Sequence, residues 1–228
     1  SVSNMNTSLS SVIWLPLVVL FFDRLVNSTP IHRGREGVKL SLCLALMFLG
    51  GVPTILYLTF WFLAFYALVF SKNRIKTLIG LFLALVLALG LVAVQLLPFV
   101  ELSLLSDRLA LAQFEIVGFR SFPPREMLTF IFPFFFGNPA QFGDYTETLL
   151  GKTYQDWLLS PYLGIFPLIF IFFSFNRNKQ RSLFFIGAAI AALTLAFGKY
   201  TPVYSFAYQF IPGISLIRFP VKYLFLTT

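Results

Sequence analysis

Charge is what this sequence has least of. Asp, Glu, Lys and Arg together make up 11% of its 228 residues, where soluble domains carry roughly 25%. That is less than half of what is needed to coat a water-facing surface. Cysteine and histidine are nearly absent. Cys43 is the single cysteine and His32 the single histidine, which excludes a disulfide framework, a thiolate cluster and an imidazole metal site. No metal is expected, and nothing in the sequence names a cofactor. Against these scarcities stand 58% hydrophobic residues, 30 Phe and a mean hydropathy of +0.83. A globule of this length has too little interior to hide them. A soluble enzyme, a nucleic-acid binder and a disordered chain are excluded together, leaving an integral membrane protein.

Charge-free stretches define the spans. A crossing needs about 20 apolar residues. The run 40–71 is 32 residues without a charge, interrupted by Gly50-Gly51-Val52-Pro53. Proline is accommodated in the first turn of a helix, where its missing amide hydrogen has no partner to lose. The spacing therefore predicts one helix ending near Gly50, a tight turn, and a second starting at Pro53. Six crossings follow, at 10–24, 36–50, 53–70, 77–98, 160–175 and 182–198, with a seventh starting near Arg218. The chain also reads as a piece of a longer protein.

The charges give an independent count. Arg24, Arg33, Arg35 and Lys39, then Lys72, Arg74 and Lys76, then Arg177, Lys179 and Arg181 lie in three connections with only Asp23 and Glu36 as acids. Those connections hold the entire net charge of +8, and the helix count puts all three on one side. Short basic loops stay in the cytoplasm, so topology accounts for the basic clusters without nucleic-acid or anionic-lipid recognition. Segments 99–159 and 199–217 are then expected to face outward.

The 99–159 insertion holds seven of the nine acids and is too long for a mere connector. Leu102, Leu105, Leu109, Ala112 and Ile116 recur at steps of three and four, predicting an amphipathic helix at the membrane interface. Ser121-Phe-Pro-Pro-Arg-Glu126 ends one element and opens a short apolar helix at 125–132. Either a surface for a lipid-linked substrate or a plug over the bundle would have this composition. Tyr200, Tyr204 and Tyr208, four apart, read as an aromatic belt at the headgroups. Arg218 and Lys222, also four apart, sit at the outer boundary against the usual charge bias. Phosphate contact and snorkelling to the headgroups both fit them. The organisation is thus all-α, a polytopic helix bundle of six to seven spans with an outer-face helical insertion: 1–98 with four spans, 99–159 outside, 160–198 with two spans, and 199–228 as an outer segment leading to a further span.

Seven pieces carry a resemblance. They are Trp14-Leu-Pro-Leu, Gln95-Leu-Leu-Pro-Phe-Val-Glu-Leu-Ser-Leu-Leu-Ser-Asp-Arg108, Phe122-Pro-Pro-Arg-Glu-Met-Leu, Phe132-Pro-Phe-Phe-Phe-Gly-Asn138, Tyr162-Leu-Gly164, Gly198-Lys-Tyr-Thr-Pro, and Ile217-Arg-Phe-Pro-Val-Lys-Tyr-Leu-Phe225. In that order the chain resembles the bacterial YfhO-like membrane proteins, relatives of the GT-C class of polyprenyl-phosphate-dependent glycosyltransferases. It departs from them at the hairpin, where Gly51-Val52-Pro53 replaces their frequent Gly-His-Pro.

The resemblance implies a protein of the bacterial cytoplasmic membrane. Such a protein moves a sugar from a polyprenyl-phosphate donor to a cell-envelope acceptor at the outer face, among membrane lipids and without nucleic acid. In the GT-C class the catalytic Asp lies in the first outer loop, which this chain is expected to lack along with the preceding helix. The resemblance points to Arg108, Arg125, Arg218 and Lys222 at the donor phosphate, with Glu101 and Asp107 as weaker catalytic candidates; structural ion pairing is the competing account of each. A lipid or polymer transporter, or a non-catalytic envelope-assembly protein, is the alternative. Against a transporter, the long apolar runs carry few polar residues near mid-depth, where transporters place their broken helices.

Overall fold

The computed structural model describes residues 8–105, 121–132, 135, 164, 173–174, 178–211, 213–214, 217 and 219–226. Among them every regular element is helical, as the hydropathy pattern requires: in hydrocarbon an isolated strand would leave its amides without partners. The chain divides into two compact units, 1–107 and 108–228.

The first unit is built from α1 (Leu15–Asn27), α2 (Pro30–Leu49), α3 (Pro53–Phe70), α4 (Arg74–Leu91) and α5 (Ala93–Leu105). Proline stands in the first turn of α1, α2 and α3, where its fixed φ suits helix entry. The hairpin expected at 50–53 forms. Gly51 adopts φ +91°, and its amide donates to Phe48 O at 3.0 Å, the left-handed helix ending that glycine tolerates best. Connections of two or three residues join α1 to α4, so neighbouring helices run antiparallel. α2 sits centrally, packed on α1 and α4.

α1 and α4 each bury one stripe. On α1 it is Val18, Phe22 and Leu25; on α4 it is Thr77, Leu81, Ala84 and Ala88, whose small alanines allow close helix approach. The opposite faces carry exposed Phe65, Ile79, Phe82, Leu83, Val86 and Leu87. Apolar surface of that extent would drive association in water and is what lipid solvates. Among the described residues three helices, Ser8–Asn27, Pro53–Phe70 and Arg74–Leu91, are long and apolar enough to cross a membrane. They mark the chain as a membrane protein.

The structure differs from the sequence pattern at 77–98, which reads as one crossing. The helix stops at Leu91, Val92 leaves helical geometry (φ −102°, ψ 14°), and α5 begins anew at Ala93. Gly90 and Pro98 flank this break, and each weakens a helix. α5 buries none of its side chains. Leu102 and Leu105, expected on an apolar stripe, are both exposed, which suits a helix lying in the interface. Residues 109–116 of that expected stripe lie outside the described residues, as does the 160–175 crossing apart from Gly164, Phe173 and Ser174.

Polar side chains tie the helix ends together where the 28–29 and 71–73 connections lie. The Tyr66 hydroxyl donates to Asp23 Oδ1 at 2.6 Å, joining α3 to α1. Arg33 Nη2 donates to Thr77 Oγ1 at 2.8 Å, joining α2 to α4. Ser71 and Thr77 share a hydrogen bond of 2.8 Å, closing the α3–α4 turn.

In the second unit, α6 (Lys179–Ala196) starts at Asn178, whose side chain accepts from the Arg181 amide at 3.3 Å. A 3-10 turn (Gly198–Tyr200) and α7 (Pro202–Phe210) follow, then a 3-10 helix at Pro220–Leu226. That last element occupies the place where a seventh crossing was expected to start. Its Val221, Tyr223 and Leu224 are buried against α6. The tyrosines do not form one belt: Tyr200 precedes α7 and is exposed, while Tyr204 is fully buried with its ring edge-on to Tyr223. Burial, followed by the neighbouring Tyr208, pushes the Tyr204 phenol above its usual range.

Interhelical hydrogen bonds in membranes contribute about 0.6–2 kcal/mol each. Tyr66→Phe is therefore expected to lower the unfolding temperature of the detergent-solubilised protein measurably. Phe65→Leu, on an outward-facing ring, should leave it within error; equal effects would show that the Asp23–Tyr66 bond does not hold α1 to α3.

Candidate functional site

The second unit brings three separate segments together at Gly198. Its φ is +50°, and a side chain there would strike Ser121 Oγ and come within 2.8 Å of Pro220 Cγ. Only a glycine lets the 121–130 segment, the end of α6 and the 219–226 segment converge so closely.

The first segment is anchored by its backbone. The Phe122 amide donates to Ala196 O at 2.9 Å, and the Lys199 amide donates to Ser121 Oγ at 3.0 Å. The Phe122 ring stacks on Phe197 with centroids 6.3 Å apart and 12° between planes, and meets Phe130 edge-on at 5.7 Å. Pro123 and Pro124 open the element that the sequence places at 125–132. It forms as a 3-10 helix, Pro124–Phe130, rather than an α-helix. Three residues per turn put Glu126 and Thr129 on one face; both are buried, while Met127 and Leu128 are exposed.

Cationic side chains ride on all three segments. Arg125 is exposed beside buried Glu126. Lys199 is exposed, its ammonium 5.4 Å from the Tyr200 ring centroid. Lys222 is half-buried, 5.6 Å from the Phe219 ring, and its amide donates to Phe219 O at 3.1 Å. Phe219 itself has φ +70°, an uncommon conformation for a bulky residue, immediately before Pro220. Chemically, the three segments carry cationic side chains and aromatic rings. Their one buried carboxylate is Glu126.

Of the residues singled out from sequence, Arg125 and Lys222 thus sit on segments that meet. Glu101 belongs to the first unit, exposed on α5. Asp107, Arg108 and Arg218 lie outside the described residues. Sequence reasoning passed over Lys199 and Glu126. Both occur inside quoted motifs, but Lys199 stands one residue before the tyrosine series, and the burial of Glu126 depends on a three-residue period that an α-helical reading does not have. Among the described residues no group of three or more His, Cys, Asp or Glu could hold a metal ion.

No protein-family model, curated protein or solved structure matches the chain.

The contact at Gly198 has a measurable consequence. Gly198→Ala is expected to cost about 2–4 kcal/mol, from left-handed backbone strain and overpacking together. Ser121→Gly removes one of the two colliding groups, so the double variant should unfold at a higher temperature than the sum of the single losses gives. Strict additivity would mean that the two segments do not touch.

Proposed function

We propose that the chain is part of a GT-C-like membrane glycosyltransferase of the bacterial cytoplasmic membrane, which passes a sugar from a polyprenyl-phosphate donor to a cell-envelope acceptor. The convergence at Gly198 carries this reading. Phe122-Pro-Pro-Arg-Glu, Gly198-Lys-Tyr-Thr-Pro and Phe219-Pro-Val-Lys lie far apart in sequence, are three of the pieces that resemble the YfhO-like proteins, and assemble into one place with Arg125, Lys199 and Lys222 on them. In this reading the basic connections face the cytoplasm and the 99–159 insertion the outer side, and the sixty-odd outward residues meet the lipid-linked donor.

The chemistry asks for two things. As the bond from the sugar to the phosphate breaks, negative charge grows on the leaving phosphate, and prepositioned cations stabilise it. Arg125, Lys199 and Lys222 are assigned that part, with Arg108 and Arg218 assigned to it from the resembling pieces. An acceptor hydroxyl must also lose its proton to a carboxylate as it attacks with inversion, help that contributes about 10²–10⁴ in rate. No residue of this chain is assigned as that base.

Membranes holding the full-length protein are incubated with radiolabelled polyprenyl-phosphate sugars of several kinds, and label in envelope material is counted. Transfer is expected with the intact protein, and a loss of about 10²–10³ in rate with Arg125→Ala combined with Lys222→Ala, the scale on which charge-stabilising donors act. No transfer from any donor despite normal expression would sink the transferase and favour the transport or assembly reading. Transfer unchanged in the variant would keep the enzyme and remove these two cations from its site.

A further inference from the structure

The first unit gathers charge more locally than topology demands. Its basic end, where the 28–29 and 71–73 connections lie, carries Arg24, Arg33, Arg35, Lys39, Lys72, Arg74 and Lys76 against Asp23 and Glu36. Within that end, three of the cations form a cluster on the α1–α2 pair. Arg24 Cζ lies 5.8 Å from the centroid of the Phe21 ring and Lys39 Nζ lies 5.5 Å from it. Lys39 also reaches Glu36 Oε1 at 2.7 Å, and Arg24 and Arg35 act on the same carboxylate. One ring gathers Arg24 and Lys39, one acid pairs with Lys39, and Arg35 adjoins that acid in the chain, leaving a local charge of +2.

The layering favours an anion outside. The Glu36 side chain is 13% exposed and that of Lys39 32%, and Arg24 and Arg35 are both exposed. The carboxylate lies beneath, and what faces out is cationic. The helices that carry the cluster continue away from it into exposed apolar side chains, Leu17 and Leu20 on α1 and Val38 and Leu42 on α2. A cationic end running into an apolar flank matches a phospholipid, whose phosphate and acyl chains are joined in that order. A free phosphate would use only the first part.

We propose that Arg24, Arg35 and Lys39 bind the headgroup phosphate of an anionic phospholipid, with its acyl chains along α1 and α2. The surplus positive charge selects an anionic lipid over a zwitterionic one, whose own ammonium already offsets its phosphate. Basic pockets between membrane helices recognise anionic headgroups in this way. The inference rests only on the chain being a membrane protein and is independent of the transferase reading.

The full chain, purified in a neutral detergent, is titrated with short-chain phosphatidylglycerol, short-chain phosphatidylcholine or inorganic phosphate, and an apparent Kd is taken from the rise in unfolding temperature. Phosphatidylglycerol is expected to stabilise the protein at concentrations where the other two do not. A cation near an anionic lipid surface contributes about fivefold in affinity. Arg24→Gln, Arg35→Gln and Lys39→Gln combined should therefore weaken phosphatidylglycerol about a hundredfold, and Arg35→Gln alone about fivefold. Lys72→Gln, Arg74→Gln and Lys76→Gln remove equal charge from the same end and should weaken it less than tenfold. Equal losses in the two triple variants would reduce the site to diffuse attraction and overturn the proposal. So would an equal response to phosphatidylcholine, or inorganic phosphate matching the lipid. Should the first triple variant fail to fold, Arg35→Gln decides, and an unchanged Kd there overturns the site.

Discussion

Everything in this molecule follows from the absence of water around its middle. In hydrocarbon each unpaired amide or carbonyl costs several kcal/mol, so the backbone closes on itself in helices, and breaks fall where polar groups find other partners. The turn at 50–52 shows how such a break is managed. Gly50 and Gly51 hand their amides to Leu46 O and Phe48 O, Ser10 Oγ donates to Gly50 O at 3.1 Å, and Pro53 has no amide to satisfy. Three of the helices carry a proline in their first turn for the same reason. The side chains obey the same solvent, with apolar residues outside as readily as inside, so that Leu83 and Phe82 face out while Leu81 is buried.

Because apolar burial between helices gains little when lipid is equally apolar, polar contacts at the ends of the first unit have a large part in specifying its packing. Asp23, Tyr66, Arg33, Thr77 and Ser71 lie on four different elements or their connections, and their hydrogen bonds fix which helix ends meet. The same end holds the surplus positive charge. Exposed charge and helix-to-helix registration therefore draw on neighbouring residues, with Arg24 and Lys39 over Phe21 and Arg33 turned inward to Thr77. Arg33 holds the bundle, while Arg24 and Arg35 at the same end are exposed.

The second unit solves a different problem, the docking of irregular chain. Residues 121–130 and 219–226 are 3-10 or extended rather than α-helical, and they need external partners for their amides. Phe122 finds one at Ala196 O and Lys199 one at Ser121 Oγ. The ring stack of Phe122 on Phe197 adds apolar contact beside these bonds. Gly198 is where the geometry is tightest, since a Cβ would fall on Ser121 and Pro220 together. Packing of this short range is what holds the three segments together.

The sequence by itself determined the solvent, the helical class, the hairpin at Gly50–Pro53 and the clustering of base, because each depends on composition or on spacing along one element. It overran at 77–98, where hydropathy is continuous but Gly90, Val92 and Pro98 end one helix and start another; hydropathy measures solvent preference and is blind to backbone geometry. It put Tyr204 on a surface belt, although α7 turns that ring into contact with Tyr223. Only the tertiary structure decided that Ser121, Gly198 and Pro220 meet, that Glu126 is buried while Arg125 is not, and that Arg24 and Lys39 share one ring. Those are contacts between residues 15 to 99 positions apart, or a matter of which helical period a short segment adopts. Neither leaves a local pattern to read, since they depend on where other parts of the chain come to rest.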